Sequence, residues 1–230
     1  TARVICPDAG SAAMRLRYPT SASPSNGHDN YLSLQQKELV EFGYGMTFTK
    51  PQHCVALLAP GEGKSECYII PTIARVLANQ SSKTIIHVSP YRFLAEYQFA
   101  TCSAAFKKLG LDSNMRVFTG QDITSDGVLP EGLYTKESLP SLLFLNLDAL
   151  NNLFHYFGEV FKSWVDVVDK IVIDEAHTIL SETCFRDKYK VYSKLPSLGI
   201  PIVMLSGSMP TFAVSKFTKQ LGLSNADDMS

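Results

Sequence analysis

An excess of charge of one sign is what this sequence most lacks. Its 21 Lys and Arg face 22 Asp and Glu, a formal net charge of −1. The field of the whole molecule therefore attracts no polyanion, and any nucleic-acid contact has to come from a local groove. Cysteine is sparse: Cys6, Cys54, Cys67, Cys102 and Cys184 are odd in number, widely spaced and without a CxxC pair. That argues against a zinc site and a disulfide framework, and for a reducing compartment, nucleus or cytoplasm. No apolar run reaches the roughly 18 residues of a membrane span. The richest stretch, 141–157, is broken by Asp148 and three asparagines. No signal-peptide pattern opens the chain, so no membrane partner is expected. Tryptophan occurs once, as Trp164.

What is present is ordinary globular material, 45% apolar and 19% charged over 230 residues, enough for one large domain with a sizeable core. Residues 1–30 contain "PTSASPSNGHDN", a cluster of turn formers, and read as a flexible segment. Residues 32–43 suit a short helix ending at Gly43. From residue 53, apolar runs at 54–59, 84–89, 115–119, 141–146, 170–174 and 202–206 alternate with helix-length stretches at 64–79, 91–108, 148–157 and 175–195. The runs are β-branched and nearly continuous, as strands covered on both faces require. The expected fold is α/β, three layers, a mostly parallel sheet with helices on both faces. The polar segment 120–140 reads as a surface excursion.

In open α/β sheets ligands bind beyond the carboxyl ends of the strands. After the first run stands Gly61-Glu62-Gly63-Lys64-Ser65, at the junction of strand and helix. Glycines let backbone N–H groups approach phosphate oxygens, the helix adds its positive end, lysine reaches the outer phosphates and the next hydroxyl holds Mg²⁺. Leu58 stands where the commonest form of this loop has its first glycine. After the fifth run comes Asp174-Glu175-Ala176-His177. A carboxylate there suits a second Mg²⁺ contact, and its neighbour suits the orientation or deprotonation of an attacking water. His177 points toward the phosphate side or toward another strand. After the sixth run, Ser206-Gly207-Ser208 offers two hydroxyls at a strand end. An ordinary Gly-rich turn or a helix start carrying favourable acids explains each piece alone. Together they read as an ATP and Mg²⁺ site.

These pieces resemble the superfamily 2 DEAD/DEAH-box helicases, and more narrowly the RecQ-like branch. "LAPGEGKSECYIIP" resembles that branch's motif I, with Cys67, Tyr68 and Pro71 matching its continuation. "VIDEAH" resembles motif II, "LSGSMP" motif III, "HVSPYRFLAEYQ" motif Ia, and "LSLQQKEL" the glutamine motif that reads adenine. The resemblance spans roughly 31–222. It implies a RecA-like first helicase domain over 31–230, a P-loop NTPase whose partner is DNA, with RNA open. In it Gln36 reads adenine, with Gln35 the alternative. Gly61, Glu62, Gly63, Lys64 and Ser65 hold ATP. Ser65 and Asp174 hold Mg²⁺, and Lys64, Asp174, Glu175 and His177 serve hydrolysis. Ser89, Pro90, Arg92, Thr119, Gly120, Phe185 and Arg186 lie along nucleic acid. Ser206, Gly207 and Ser208 link hydrolysis to strand movement.

The sequence also departs from that pattern. The aromatic-rich loop after motif II lacks its Trp, and motif Ib appears as Asn146-Leu147-Asp148, whose acid opposes phosphate. The arginine that usually precedes the glutamine motif's Gln is not in place, Ser33 and Leu32 being nearest. Little chain follows Ser208, so the second RecA-like domain, which supplies an arginine finger worth 10³–10⁵ in rate in related NTPases, is expected to be absent from this chain. Weak binding of MgATP and poor hydrolysis follow as expectations. The alternative is a truncated or degenerate P-loop module that binds nucleotide or nucleic acid without unwinding. His28, His53, His87 and His155 lack partners at metal spacing and read as structural.

Overall fold

The computed structural model describes residues 2–5, 36, 39–40, 53–77, 83–111, 114–182 and 187–223. Seven strands form one sheet: β1 (Ala2–Ile5), β2 (His53–Leu57), β3 (Thr84–Ser89), β4 (Met115–Phe118), β5 (Leu142–Asn146), β6 (Val168–Ile173) and β7 (Ile202–Ser206). Their order is β1-β2-β7-β6-β3-β5-β4, and every pairing is parallel. Among the described residues the α-helices that follow the strands are α1 (Glu66–Leu77), α2 (Arg92–Lys108), α3 (Leu147–Tyr156), α4 (Gly158–Ser163), α5 (Thr178–Glu182) and α6 (Val214–Gln220).

Side-chain alternation along the strands sorts the core into two layers. Val55 and Leu57, Ile86 and Val88, Leu143 and Leu145, Ile171 and Ile173, and Ile202 and Met204 face one side, against α3, α4, α6 and the 187–198 segment. Cys54 and Ala56, Ile85, Leu142 and Phe144, Val172, and Val203 and Leu205 face the other, against Tyr68, Ile69 and Ile73 of α1 and Cys102 and Phe106 of α2. Both faces are covered, which is why the runs read as continuous rather than alternating. Trp164 is fully buried in the first layer.

Three expectations change. The 175–195 stretch is no single helix: a turn at 174–177 leads to the short α5, and Asp187–Leu198 is a 3-10 helix. Ser193 and Ser197 each bond the carbonyl three residues back, Lys190 and Lys194, a local competitor to α-helical geometry, and Pro196 removes a donor. The polar segment 120–140 is anchored, since Ile123, Leu129 and Leu133 are buried in the core. Within the expected flexible segment 1–30, residues 2–5 extend the sheet beside β2; the rest lies outside the described residues.

The strand order places the carboxyl ends of β2, β7, β6 and β3 side by side. The chain passes from β2 to β3 and later returns to fill the gap with β6 and β7. Loops after these four strands therefore converge on one edge.

Candidate functional site

Leu57 ends β2 and Glu66 opens α1, so residues 58–65 turn at that edge. Gly61 and Gly63 take φ of 85° and 69°, where a Cβ costs roughly 1–2 kcal/mol. Glu62 closes the turn: its Oε2 accepts from the Ala59 N–H at 2.6 Å, and its own N–H donates to the Ala59 carbonyl at 3.2 Å. Among the described residues no acceptor is found for the N–H groups of Gly61, Gly63, Lys64 and Ser65. These donors sit at the positive end of α1, an arrangement that suits an anion. Lys64 Nζ donates to the Leu58 carbonyl at 3.0 Å. Gln36 is helical and buried, and its Nε2 donates to the Gly63 carbonyl at 3.4 Å. A Cβ on Gly63 would stand 2.0 Å from that nitrogen.

Asp174 follows β6 and is buried. The Glu175 N–H donates to its Oδ1 at 2.9 Å and Gln98 Nε2 to its Oδ2 at 3.4 Å. Burial raises the carboxyl above its ordinary range; the Glu175 N–H, Lys64, Gln98 and His177 oppose that rise. The Leu58 N–H donates to the Ser206 carbonyl at 3.1 Å and the Ala176 N–H to the Leu205 carbonyl at 2.8 Å, so both loops leave the sheet against the end of β7. Glu175 takes φ 48°, a left-handed conformation for a non-glycine residue, strain of the kind that concentrates at functional sites.

His177 bridges to β7. Its Nδ1 is 3.2 Å from Ser206 Oγ and 3.2 Å from Glu175 Oε2, so the ring links the two side chains. Ser206 Oγ also accepts from the Met209 and Ser208 N–H groups at 3.1 and 3.4 Å. Gly207 closes the loop on the other side: a Cβ there would meet Lys64 Nζ at 2.8 Å. The structure thus brings Gln36, Gly61–Ser65, Asp174, Glu175, His177 and Ser206–Ser208 together. Of the two directions open to His177, the contact is toward another strand.

The residues expected along nucleic acid divide. Arg92 is exposed, tied to Glu96 at 2.8 Å and to Gln121. The Ser89 and Pro90 side chains are buried, so a strand contact through them is not available in this conformation. They form the tight exit from β3. Thr119 is also buried; its N–H and Oγ1 both donate to Asp122 Oδ2, at 2.7 and 2.8 Å. The Gly120 N–H donates to Asn146 Oδ1 at 3.0 Å, and the same oxygen caps α3 through Ala149. Asp148, which as a bare acid would repel phosphate, is paired with Lys188 at 2.5 Å. Phe185 and Arg186 lie outside the described residues.

Two residues that stand inside the quoted motifs had been given no role in this site. Gln98 reaches Asp174, and Tyr68 OH reaches Gln98 Oε1 at 3.2 Å. The signal for Gln98 was present: Ala95, Cys102 and Phe106 form the buried stripe of α2, and Gln98 falls on that stripe as its polar member.

The residues fit MgATP. Ser65 and Asp174 are too few for a protein-only cation cage, and Mg²⁺ takes one or two protein oxygens beside phosphates and waters. Among the described residues no cluster of three His, Cys, Asp or Glu could hold a metal by itself. A cavity of about 530 Å³, lined by Asn114, Arg116, Glu131 and Ser141 among others, lies by the amino ends of β4 and β5, away from this chemistry. No described helix is long and apolar enough to cross a membrane.

The sequence profile of the DEAD/DEAH box helicases matches residues 36–217. No curated protein matches the chain by sequence. Among solved structures, the fold is similar to the DUF1998 helicase MrfA bound to DNA: TM-score 0.65, 18% identity, 92% of this chain and 29% of that one. MrfA bound to DNA and AMPPNP gives 0.65 at 17% identity over the same shares, 92% and 29%. The DEAD-box helicase Mss116 bound to ssRNA and UDP-BeF gives 0.59 at 19% identity, over 84% of this chain and 38% of that one. At such identities the likeness shows the RecA-like fold alone. The chain spans about a third of the length of these helicases.

Proposed function

Since the chain belongs to the DEAD/DEAH box helicase family, we propose that it is the ATP-binding half of a helicase that couples MgATP hydrolysis to movement on nucleic acid. The observation that carries this is that the Gly61–Ser65 loop and Asp174–Glu175 stand at the carboxyl ends of β2 and β6, the two strands that flank β7. The finer reading is a RecQ-like DNA helicase moving in the three-prime to five-prime direction, in the nucleus or cytoplasm. It is supported by Cys67, Tyr68 and Pro71 after the loop. The DNA in one similar structure is consistent with it, while the ssRNA in another keeps RNA in the test.

In this reading the free loop N–H groups bind the phosphates, and Lys64 leaves the Leu58 carbonyl to reach the outermost ones. Ser65 and Asp174 would hold Mg²⁺, which would supply charge stabilisation at the phosphate oxygens. Glu175 orients the attacking water and takes its proton. His177 and Ser206 carry the state of Glu175 to the loop at Gly207 and Ser208, which closes on Lys64. Gln36 contributes the amide that recognises adenine. Exposed Arg92 offers the strand-facing edge; the contacts expected of Phe185 and Arg186 lie outside the described residues. Among the described residues Arg75, Arg92 and Arg116 are engaged elsewhere, with Asp169, with Glu96 and with the Met115 carbonyl. In this reading the arginine finger comes from a second RecA-like domain, as in related NTPases.

Single-turnover ATP hydrolysis by the chain and by Glu175→Gln tests this, with and without single-stranded DNA or RNA. The chain hydrolyses slowly, by the 10³–10⁵ that an arginine finger supplies. The variant binds nucleotide equally well but does not hydrolyse it. Hydrolysis by Glu175→Gln at the parental rate contradicts the assignment. Nucleotide binding without hydrolysis in every condition, strands and second domain included, supports the binding module instead.

A further inference from the structure

Behind Asp174, in the layer between the sheet and helices α1 and α2, lies a polar chain that the hydrolysis reading leaves unused. Gln98 Oε1 accepts from Tyr68 OH at 3.2 Å, and Gln98 Nε2 donates to Asp174 Oδ2 at 3.4 Å. The two ends of a carboxamide are not interchangeable. Tyr68 OH is the donor in its contact with the amide oxygen. With the phenol on the oxygen end, the nitrogen end must face the carboxylate. A flipped amide would set two oxygens against each other.

The other neighbours of Oδ2 do not replace this donor. His87 Nε2 is 3.9 Å away, beyond a hydrogen bond. His87 instead packs between Tyr68 and Phe144, at ring distances of 4.6 and 5.1 Å. Oδ1 is already held by the Glu175 N–H. Gln98 is thus the side chain that fixes the rotation of the carboxylate.

We propose that Gln98, backed by Tyr68, is a positioning residue that sets Asp174 to take Mg²⁺. The proposal rests on the reading of Asp174 as a Mg²⁺ holder. Hydrogen bonds behind a metal-holding group are typically worth 10- to 100-fold in metal affinity. A 3.4 Å bond is long, so the expected loss is near the lower end, about 10-fold.

The test measures binding of a fluorescent ATP analogue by the whole chain, titrated with Mg²⁺ and repeated in EDTA. Gln98→Met keeps the shape and removes both polar ends. It should require about 10-fold more Mg²⁺ for the same gain in affinity, with binding in EDTA unchanged. Gln98→Glu keeps the acceptor for Tyr68 but sets a carboxylate against Asp174, and should lose more than the Met variant despite its closer shape. Tyr68→Phe should lose a few-fold in the same direction. Parental Mg²⁺ dependence in the Gln98 variants, or an equal loss with and without Mg²⁺, overturns the proposal alone. Parental binding that ignores Mg²⁺ overturns the reading of Asp174, and the proposal with it. If Gln98→Met does not fold, Gln98→Glu and Tyr68→Phe decide the matter by the same two comparisons.

Discussion

Replacing Gly63 by Ala strikes the point where the phosphate loop and the buried glutamine meet. Two costs follow from the geometry. At φ 69° the added Cβ carries the left-handed penalty, roughly 1–2 kcal/mol. It would also stand 2.0 Å from Gln36 Nε2, so the amide has to leave its bond to the Gly63 carbonyl. Displacing a buried amide costs about 1–3 kcal/mol. The sum, with partial relaxation, is about 2–4 kcal/mol, a fall in Tm of roughly 4–16 °C for a chain of this size. Gly63→Ala, Gln36→Ala and the double variant, unfolded thermally and in urea, separate the two terms. In the double variant the clash is gone and the strain remains. It should be more stable than the sum of the single losses predicts, by about 1 kcal/mol or more. Additive losses, or a Gly63→Ala Tm within a degree or so of the parent, would refute the packing of Gln36 on the loop.

Two further outcomes follow from buried and paired charge. His87 sits near 3 when folded, against an ordinary 6.5, so the unfolded chain takes up a proton first as pH falls. The stability this neutral ring allows is present above 6.5 and is lost toward 3, at about 1.4 kcal/mol per pH unit. Urea unfolding at pH 6.5 and 5 should show His87→Leu losing about 2 kcal/mol less than the parent; equal losses would place the ring's charge elsewhere. Asp148 ties up Lys188 at 2.5 Å. Asp148→Asn should tighten single-strand binding several-fold and steepen its salt dependence by about one phosphate contact, a slope change of about 0.7. An unchanged slope would remove this edge from the nucleic-acid path.

The β-branched runs showed the strands because both faces of the sheet are covered: 84–89 and 202–206 coincide with β3 and β7. The Gly61–Ser65 loop and Asp174–His177 were legible because each stands directly after a buried run, where the chain must turn. What stayed hidden depends on partners distant in sequence. Ile123, Leu129 and Leu133 are scattered among turn residues, and only the fold shows that they enter the core. The 3-10 geometry of Asp187–Leu198 comes from serine and proline competing locally with helix formation. Trp164, the one tryptophan, serves the core. Ser89 looked like a strand contact from its motif, yet it ends a central strand and is covered on both sides.

The central claim is that this chain binds MgATP through the Gly61–Ser65 loop. Isothermal titration of the chain and of Lys64→Ala with a non-hydrolysable ATP analogue, with and without Mg²⁺, tests it most directly. The account predicts measurable binding to the parent that strengthens with Mg²⁺ and falls at least about tenfold in Lys64→Ala, the equivalent of about 1.4 kcal/mol. Equal binding by both proteins, or none by the parent at millimolar nucleotide, would contradict it.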